Sequence, residues 1–233
     1  MDLTHFVLVT GPFVGRSSML DTAQALRDAD VMVTEPDPHA LHSDRLPTLE
    51  DWAASMLPAI PRTPAPIVVG YSAGTVLAAW LAPRVGAAGL IFVDGEIPPT
   101  AGPCPILPRR VAARLEPRAG PEGLPRWSDW WPQDMAEPLG LGPLARQRPD
   151  LVAAMRGEER AFPVDWLHQR LALDPWDHLP TGYLRLSHFF DPQARTAADR
   201  GWPVEHIEGS HLHPAIMGTE TAGALMAVAG AFQ

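Results

Sequence analysis

The chain has no lysine: all 18 of its basic residues are arginine, set against 27 acidic residues for a formal charge of −9. Without a lysine amine there is no Schiff base and no P-loop lysine, which removes two large classes of chemistry. An acidic chain with few clustered cations also lacks the electrostatic footprint of a nucleic-acid-binding protein. Cysteine is nearly absent too. Cys104 stands alone, so no internal disulfide and no cysteine-based zinc site can form, as in proteins of a reducing cytoplasm. No apolar run approaches the roughly 20 residues that span a bilayer. The opening "MDLTHFVLVTG" lacks a basic segment leading into a long apolar one and reads as a strand of the mature fold. A cytoplasmic protein without nucleic-acid or membrane partners is the expectation, and composition leaves its oligomeric state open.

What is present is the material of one substantial core. The chain's 233 residues, 46% hydrophobic and 19% charged, describe a globular protein with a single core and an insertion more readily than two domains or a disordered chain. Short apolar runs bounded by Gly, Pro or Asp recur as "HFVLVT" (5–10), "VMVT" (31–34), "IVVG" (67–70), "LIFVD" (90–94), "YLRLS" (183–187) and "VEHI" (204–207), and read as strands. Between most of them lie helical patterns, from "SSMLDTAQALRDA" to the final "TETAGALMAVAGAF". Strand and helix in alternation predict an α/β fold, with a mostly parallel, doubly wound sheet of about six strands covered on both faces.

Residues 98–180 break this rhythm. They are dense in proline and hold five of the eight tryptophans: Trp127, Trp130, Trp131, Trp166 and Trp176. A structureless loop of such length is improbable, so a partly helical insertion is expected, with helices over "LGPLARQRPDLVAAMRG" and "FPVDWLHQRLAL". Its tryptophans can form a small core of their own and can also wall a pocket beneath a lid. The expected division is a core of 1–97 and 181–233 with a lid or cap of 98–180.

The chemistry centres on "IVVGYSAGTVLAAW", in which Ser72 stands between Gly70 and Gly74 where a β-branched run meets a helix-forming one. A nucleophilic serine on a sharp strand-to-helix turn needs small neighbours, and Gly70, Ala73 and Gly74 provide them. The pattern alone is weak, and a serine that merely caps a helix satisfies it. A serine also needs a base. His211 in "VEHIEGSHLHPAI" follows the last strand and precedes the last helix, at the edge of the sheet where Ser72 falls. The acid that orients the imidazole has two candidates. Asp191, in "YLRLSHFFDPQ", is favoured, and Asp94, which ends "LIFVD", is the alternative; both satisfy the order Ser, acid, His. The pairs His211/His213 and His39/His42 have metal-like spacing but no third ligand nearby, so no metal and no other cofactor is expected.

With these elements in this order the sequence resembles the α/β-hydrolase family along its whole length, residues 98–180 matching only the family's variable lid. The stretches "FVLVTGPFVG", "FVDGEIPP" and "GWPVEHIEGSHLHP" are similar to a bacterial subgroup of that fold. The resemblance implies Ser72 as nucleophile, His211 as base and Asp191, or Asp94, as acid. It also implies an oxyanion hole that includes the Ala73 N–H. The expected substrate pocket, read from the chain itself, has Pro12, Tyr71, Trp127, Trp130, Trp131 and His213. One departure matters. Where the family often has His-Gly-x after the first strand, with x giving the second oxyanion N–H, this chain has Thr10-Gly11-Pro12. Proline has no N–H, which leaves three alternatives: Phe13 or Val14 donates from a displaced loop, the hole is reduced, or the reaction passes through no ordinary tetrahedral oxyanion.

Three functions follow from this reading. The first is hydrolysis of an ester, thioester or lactone of a largely apolar small molecule by a serine hydrolase. The second is lyase, cyclase or acyl-transferase chemistry in which Ser72 and His211 move protons. The third is non-catalytic binding in the same pocket.

Overall fold

A computed structural model describes residues 4–37 and 48–232. In chain order the strands are β1 (His5–Val9), β2 (Met32–Thr34), β3 (Ile67–Tyr71), β4 (Gly89–Val93), β5 (Gly102–Pro105), β6 (Arg170–Leu173), β7 (Thr181–Arg185) and β8 (Val204–His206). The α-helices are α1 (Leu20–Asp28), α2 (Leu49–Ala54), α3 (Gly74–Val85), α4 (Arg109–Leu115), α5 (Ala136–Leu139), α6 (Leu141–Gln147), α7 (Pro149–Glu158), α8 (Asp191–Asp199), α9 (His213–Ile216) and α10 (Gly218–Gly230).

Six strands form one sheet in the order β2-β1-β3-β4-β7-β8, every pair parallel. All six apolar runs expected to be strands lie in it. The "YLRLS" strand is displaced the most, occupying Thr181–Arg185 and ending two residues early, and "LIFVD" is displaced by one, to Gly89–Val93. A parallel sheet needs cover on both faces, and strand alternation supplies an apolar side chain to each. Val7, Val9, Val68, Leu90 and Phe92 join one core with residues of α2, α3 and α8. Phe6, Leu8, Val69, Tyr71, Ile91 and Val93 join the other with residues of α1 and α10. Local signals set the helix ends. Thr48 and Asp51 close a reciprocal capping box at the start of α2, and α3 stops at Gly86, whose φ of 65° no side chain opposes.

The strand order reverses at β1, which has β2 on one side and β3 on the other. At such a switch point the loops leaving the carboxyl ends of the two strands diverge and open a crevice. Here those loops are Gly11–Gly15 and the turn at Ser72.

Between β4 and β7, the antiparallel pair β5–β6 and helices α4 to α7 cover α3 and the crevice. Within "FPVDWLHQRLAL" the expected helix is absent. Val164–Leu167 forms a single 3-10 turn, and Arg170–Leu173 pairs with β5, its residues alternately exposed and buried. The period-two character of "RLAL" therefore decides the outcome, because Leu171 and Leu173 are buried in the core only if the segment is extended. The other predicted helix runs as α6 and α7, broken at Arg148-Pro149. The tryptophans divide between two duties. Trp166 packs edge-on to Trp52, and Trp176 packs edge-on to Phe92 at 5.3 Å between ring centroids, whereas Trp127, Trp130 and Trp131 face a cavity. Among the described residues no helix is long and apolar enough to cross a membrane.

Candidate active site

Ser72 follows β3 directly and has φ of 56°, a left-handed conformation that a residue with a side chain adopts only when its surroundings force it. The surroundings do so. Its N–H donates to Val93 O at 3.0 Å, while its carbonyl accepts from Thr75 N–H at 3.2 Å and Thr75 Oγ1 at 3.1 Å. The neighbouring backbones come so close that a Cβ on Gly74 would lie 2.2 Å from Val9 O, and one on Gly70 would lie 2.6 Å from the Ala78 Cβ. The two glycines of the motif are thus required by space, and the turn lifts Ser72 Oγ into the crevice.

His211 Nε2 lies 3.0 Å from Ser72 Oγ. The imidazole is held on both faces, by Tyr71 with ring centroids 5.1 Å apart and by Phe190 at 5.7 Å, both stacked. Tyr71 OH also donates to the His211 carbonyl at 2.6 Å. Burial first, and the nearby Asp94 charge second, push the Tyr71 phenol well above its ordinary range, so it remains a neutral donor.

The carboxylate on His211 Nδ1 is Asp94, with Oδ2 at 2.7 Å. Asp94 directly follows β4, is fully buried and has φ of 42°. Its Oδ1 accepts the N–H groups of Leu186 at 2.9 Å and Ser187 at 2.8 Å, and Oδ2 also accepts Ser187 Oγ at 2.7 Å. These donors satisfy a buried charge that would otherwise be costly.

The sequence-based preference for Asp191 is therefore corrected. Because β7 stops at Arg185, Asp191 is already the first residue of α8. There its carboxylate meets Arg185 Nε at 2.9 Å and faces His188 Nδ1 at 3.3 Å. The loop that was expected to bring an acid to His211 brings Phe190 instead.

The loop after β1 runs alongside Ala73: a Cβ on Gly11 would lie 3.0 Å from the Ala73 Cβ. Val14 N–H donates to Gly11 O at 3.3 Å and is occupied. The N–H groups of Phe13 and Ala73 make no hydrogen bond among the described residues.

A cavity of about 540 Å³ opens over Ser72 and His211, lined by Phe13, Ile97, Ile106, Leu107, Leu139, Trp127, Trp130, Trp131 and other apolar residues. Of the expected pocket residues, the three tryptophans line it. Pro12, Tyr71 and His213 do not. Pro12 is buried in the turn, Tyr71 lies behind His211, and His213 Nε2 turns to Glu220 at 3.0 Å. His39 and His42 lie outside the described residues. Sequence reasoning missed Ser187, Phe190 and the helix α4 wall. The signal for Ser187 was its place just past a strand beside β4, where its N–H points at whatever ends that strand.

This fold, with a serine, a histidine and a carboxylate in series at the switch point, defines an α/β-hydrolase-type protein. The model of the alpha/beta hydrolase family matches residues 6–224, and the chain belongs to that family. No curated protein sequence matches it. Among solved structures, tomato methylketone synthase I complexed with 2-tridecanone is similar, with a TM-score of 0.71, 14% identity and both chains covered in full. Polyneuridine aldehyde esterase superposes with a TM-score of 0.69 at 15% identity, covering 97% of this chain and 99% of that one. An extracellular α/β-hydrolase of a Paenibacillus species gives 0.63 at 17% identity, over 97% and 98% of the two chains.

Proposed function

We propose that the protein is a serine hydrolase of an ester, thioester or lactone whose acyl or alcohol part is largely apolar. The observation that carries this reading is the unbroken series Ser72 Oγ, His211, Asp94, with separations of 3.0 and 2.7 Å, opening on an apolar cavity. In this mechanism Ser72 Oγ attacks the carbonyl carbon and its proton passes to His211 Nε2. Asp94 stays ionised, fixes the tautomer through Nδ1 and stabilises the imidazolium. The tetrahedral oxyanion takes the N–H groups of Ala73 and Phe13, so the chain meets the loss of a donor at Pro12 by using the next residue. Collapse releases the alcohol or thiol with the proton from His211. Water then attacks the acyl-enzyme, gives its proton to His211 and frees the acid as Ser72 recovers its own. The segment 98–180 serves as the lid of a core formed by 1–97 and 181–233, and no cofactor takes part.

Hydrolysis of p-nitrophenyl acyl esters of graded chain length tests this reading. Turnover that rises with chain length and disappears in Ser72→Ala supports it; turnover that survives Ser72→Ala overturns it. A second reading, non-hydrolytic chemistry in which Ser72 and His211 transfer protons, draws on Pro12 and on the likeness to methylketone synthase I. It predicts a reactive Ser72 with no net ester cleavage.

A further inference from the structure

Apart from Ser72, Thr75, His211 and Glu96, the polar and charged side chains of the otherwise apolar cavity wall lie on one side of α4, the side that carries Arg110, Val111 and Arg114. Those positions share one helix face, since residues three and four apart lie above one another. Three lining residues carry a fixed charge: Glu96, Arg110 and Arg114. Two of them cancel. The Glu96 carboxylate binds the Arg110 guanidinium and the Gln193 amide, and Gln193 Oε1 in turn accepts the Ile97 N–H at 3.2 Å. Arg114, an exposed residue of that wall, has no ion pair or hydrogen bond among the described residues. The Asp94 charge is matched by four donors and lies behind His211, outside the cavity wall. The site thus combines an apolar cavity with one surplus guanidinium, in a chain whose formal charge is −9.

We infer that the cavity takes an amphiphilic ligand, an apolar chain carrying a carboxylate or phosphate group, and that Arg114 receives the anion. This rests on the proposed function only in taking the cavity as the substrate site. A guanidinium binds both oxyanions through paired N–H donors, and the apolar wall holds the chain.

The test is equilibrium binding to wild-type protein and to Arg114→Gln, read from quenching of the tryptophans that line the cavity. Three probes of equal chain length are compared: decanoate, decyl phosphate and 1-decanol. At least one anion should bind wild type about tenfold tighter than the alcohol, the size of one charge-assisted contact. Arg114→Gln should abolish that preference and leave 1-decanol binding unchanged, Arg114→Lys should retain part of it, and added salt should weaken it in the wild type. Whichever anion wins identifies the source, a carboxylate in the acyl chain or a phosphate on the leaving group. Equal affinity for anion and alcohol in wild type, or a preference that survives Arg114→Gln, overturns the inference. Catalysis is not needed for this readout. Failure to cleave esters with the anion preference intact counts against the hydrolase reading alone.

Discussion

Ser187 Oγ donates to Asp94 Oδ2 at 2.7 Å, the same oxygen that His211 Nδ1 reaches at 2.7 Å. The carboxylate is buried, so it has no water to fall back on if a donor is removed. Ser187→Ala should lower stability by about 1.5–3 kcal/mol, the range for a hydrogen bond to a charged group. A drop in melting temperature measures this. Wild-type stability in Ser187→Ala would show that the hydroxyl is not needed by the carboxylate.

Asp94→Asn and Asp191→Asn should separate cleanly. Replacing Asp94 leaves an amide where the imidazolium needs a charge and disturbs the tautomer, and kcat should fall by about 10³-fold or more. Asp191→Asn removes the charge of an ion pair with Arg185, not with His211, and should leave kcat within a few-fold. Steady-state kinetics of both on one ester decide between the two.

Phe13 contributes a ring to the cavity and an N–H to the proposed oxyanion hole, and two variants distinguish these roles. Phe13→Ala keeps the N–H and should raise KM with little change in kcat. Phe13→Pro removes the N–H and should lower kcat by about 10²-fold, with circular dichroism confirming that the fold is retained. Equal kcat in the two variants would place the second donor elsewhere.

Glu158 of α7 accepts Ser17 N–H at 3.0 Å and Ser17 Oγ at 2.8 Å, at the foot of the loop that carries Phe13. A Cβ on Gly15 would lie 2.0 Å from Glu158 Oε2, so the two segments are closely packed. Glu158→Ala should cost about 1–2 kcal/mol through two orphaned donors, which for a chain of this size is a fall of about 2–8 °C in melting temperature.

Cys104 lines the cavity, and burial pushes its thiol up to about 11. Because the thiolate is the reactive form, about 0.1% of the thiol is available at pH 8. Alkylation by iodoacetamide at that pH should be far slower in the folded protein than after unfolding, and should speed up as pH rises toward 11.

The sheet was legible because each parallel strand is a short apolar run between turn residues, and runs such as "HFVLV" and "LIFV" have no other use. That Ser72 and His211 meet was legible for a related reason, each following a strand where the sheet's carboxyl edge collects side chains. The acid was not. Asp94 and Asp191 both follow a strand and both satisfy the chain order, and the difference lies in where β7 ends. That end is set by donors that reach across from Leu186 and Ser187 to Asp94, a contact 92 and 93 residues apart in sequence. The strand β6 was hidden in a similar way: the period-two pattern of "RLAL" is short, and it is told from a helical one once Gly102–Pro105 is seen to lie beside it. Arg114 carries no local signal, since an arginine on a short helix becomes informative only when its neighbours' partners are known.

In the proposed function Ser72 is a nucleophile activated by His211 and Asp94. Mass spectrometry after exposure to a fluorophosphonate probe tests it most directly. A single adduct is expected on the peptide containing Ser72 in the wild type, none in Ser72→Ala, and strongly slowed labelling in His211→Ala and Asp94→Asn. Wild-type protein that is folded yet unlabelled, or labelling that persists in Ser72→Ala, would contradict it.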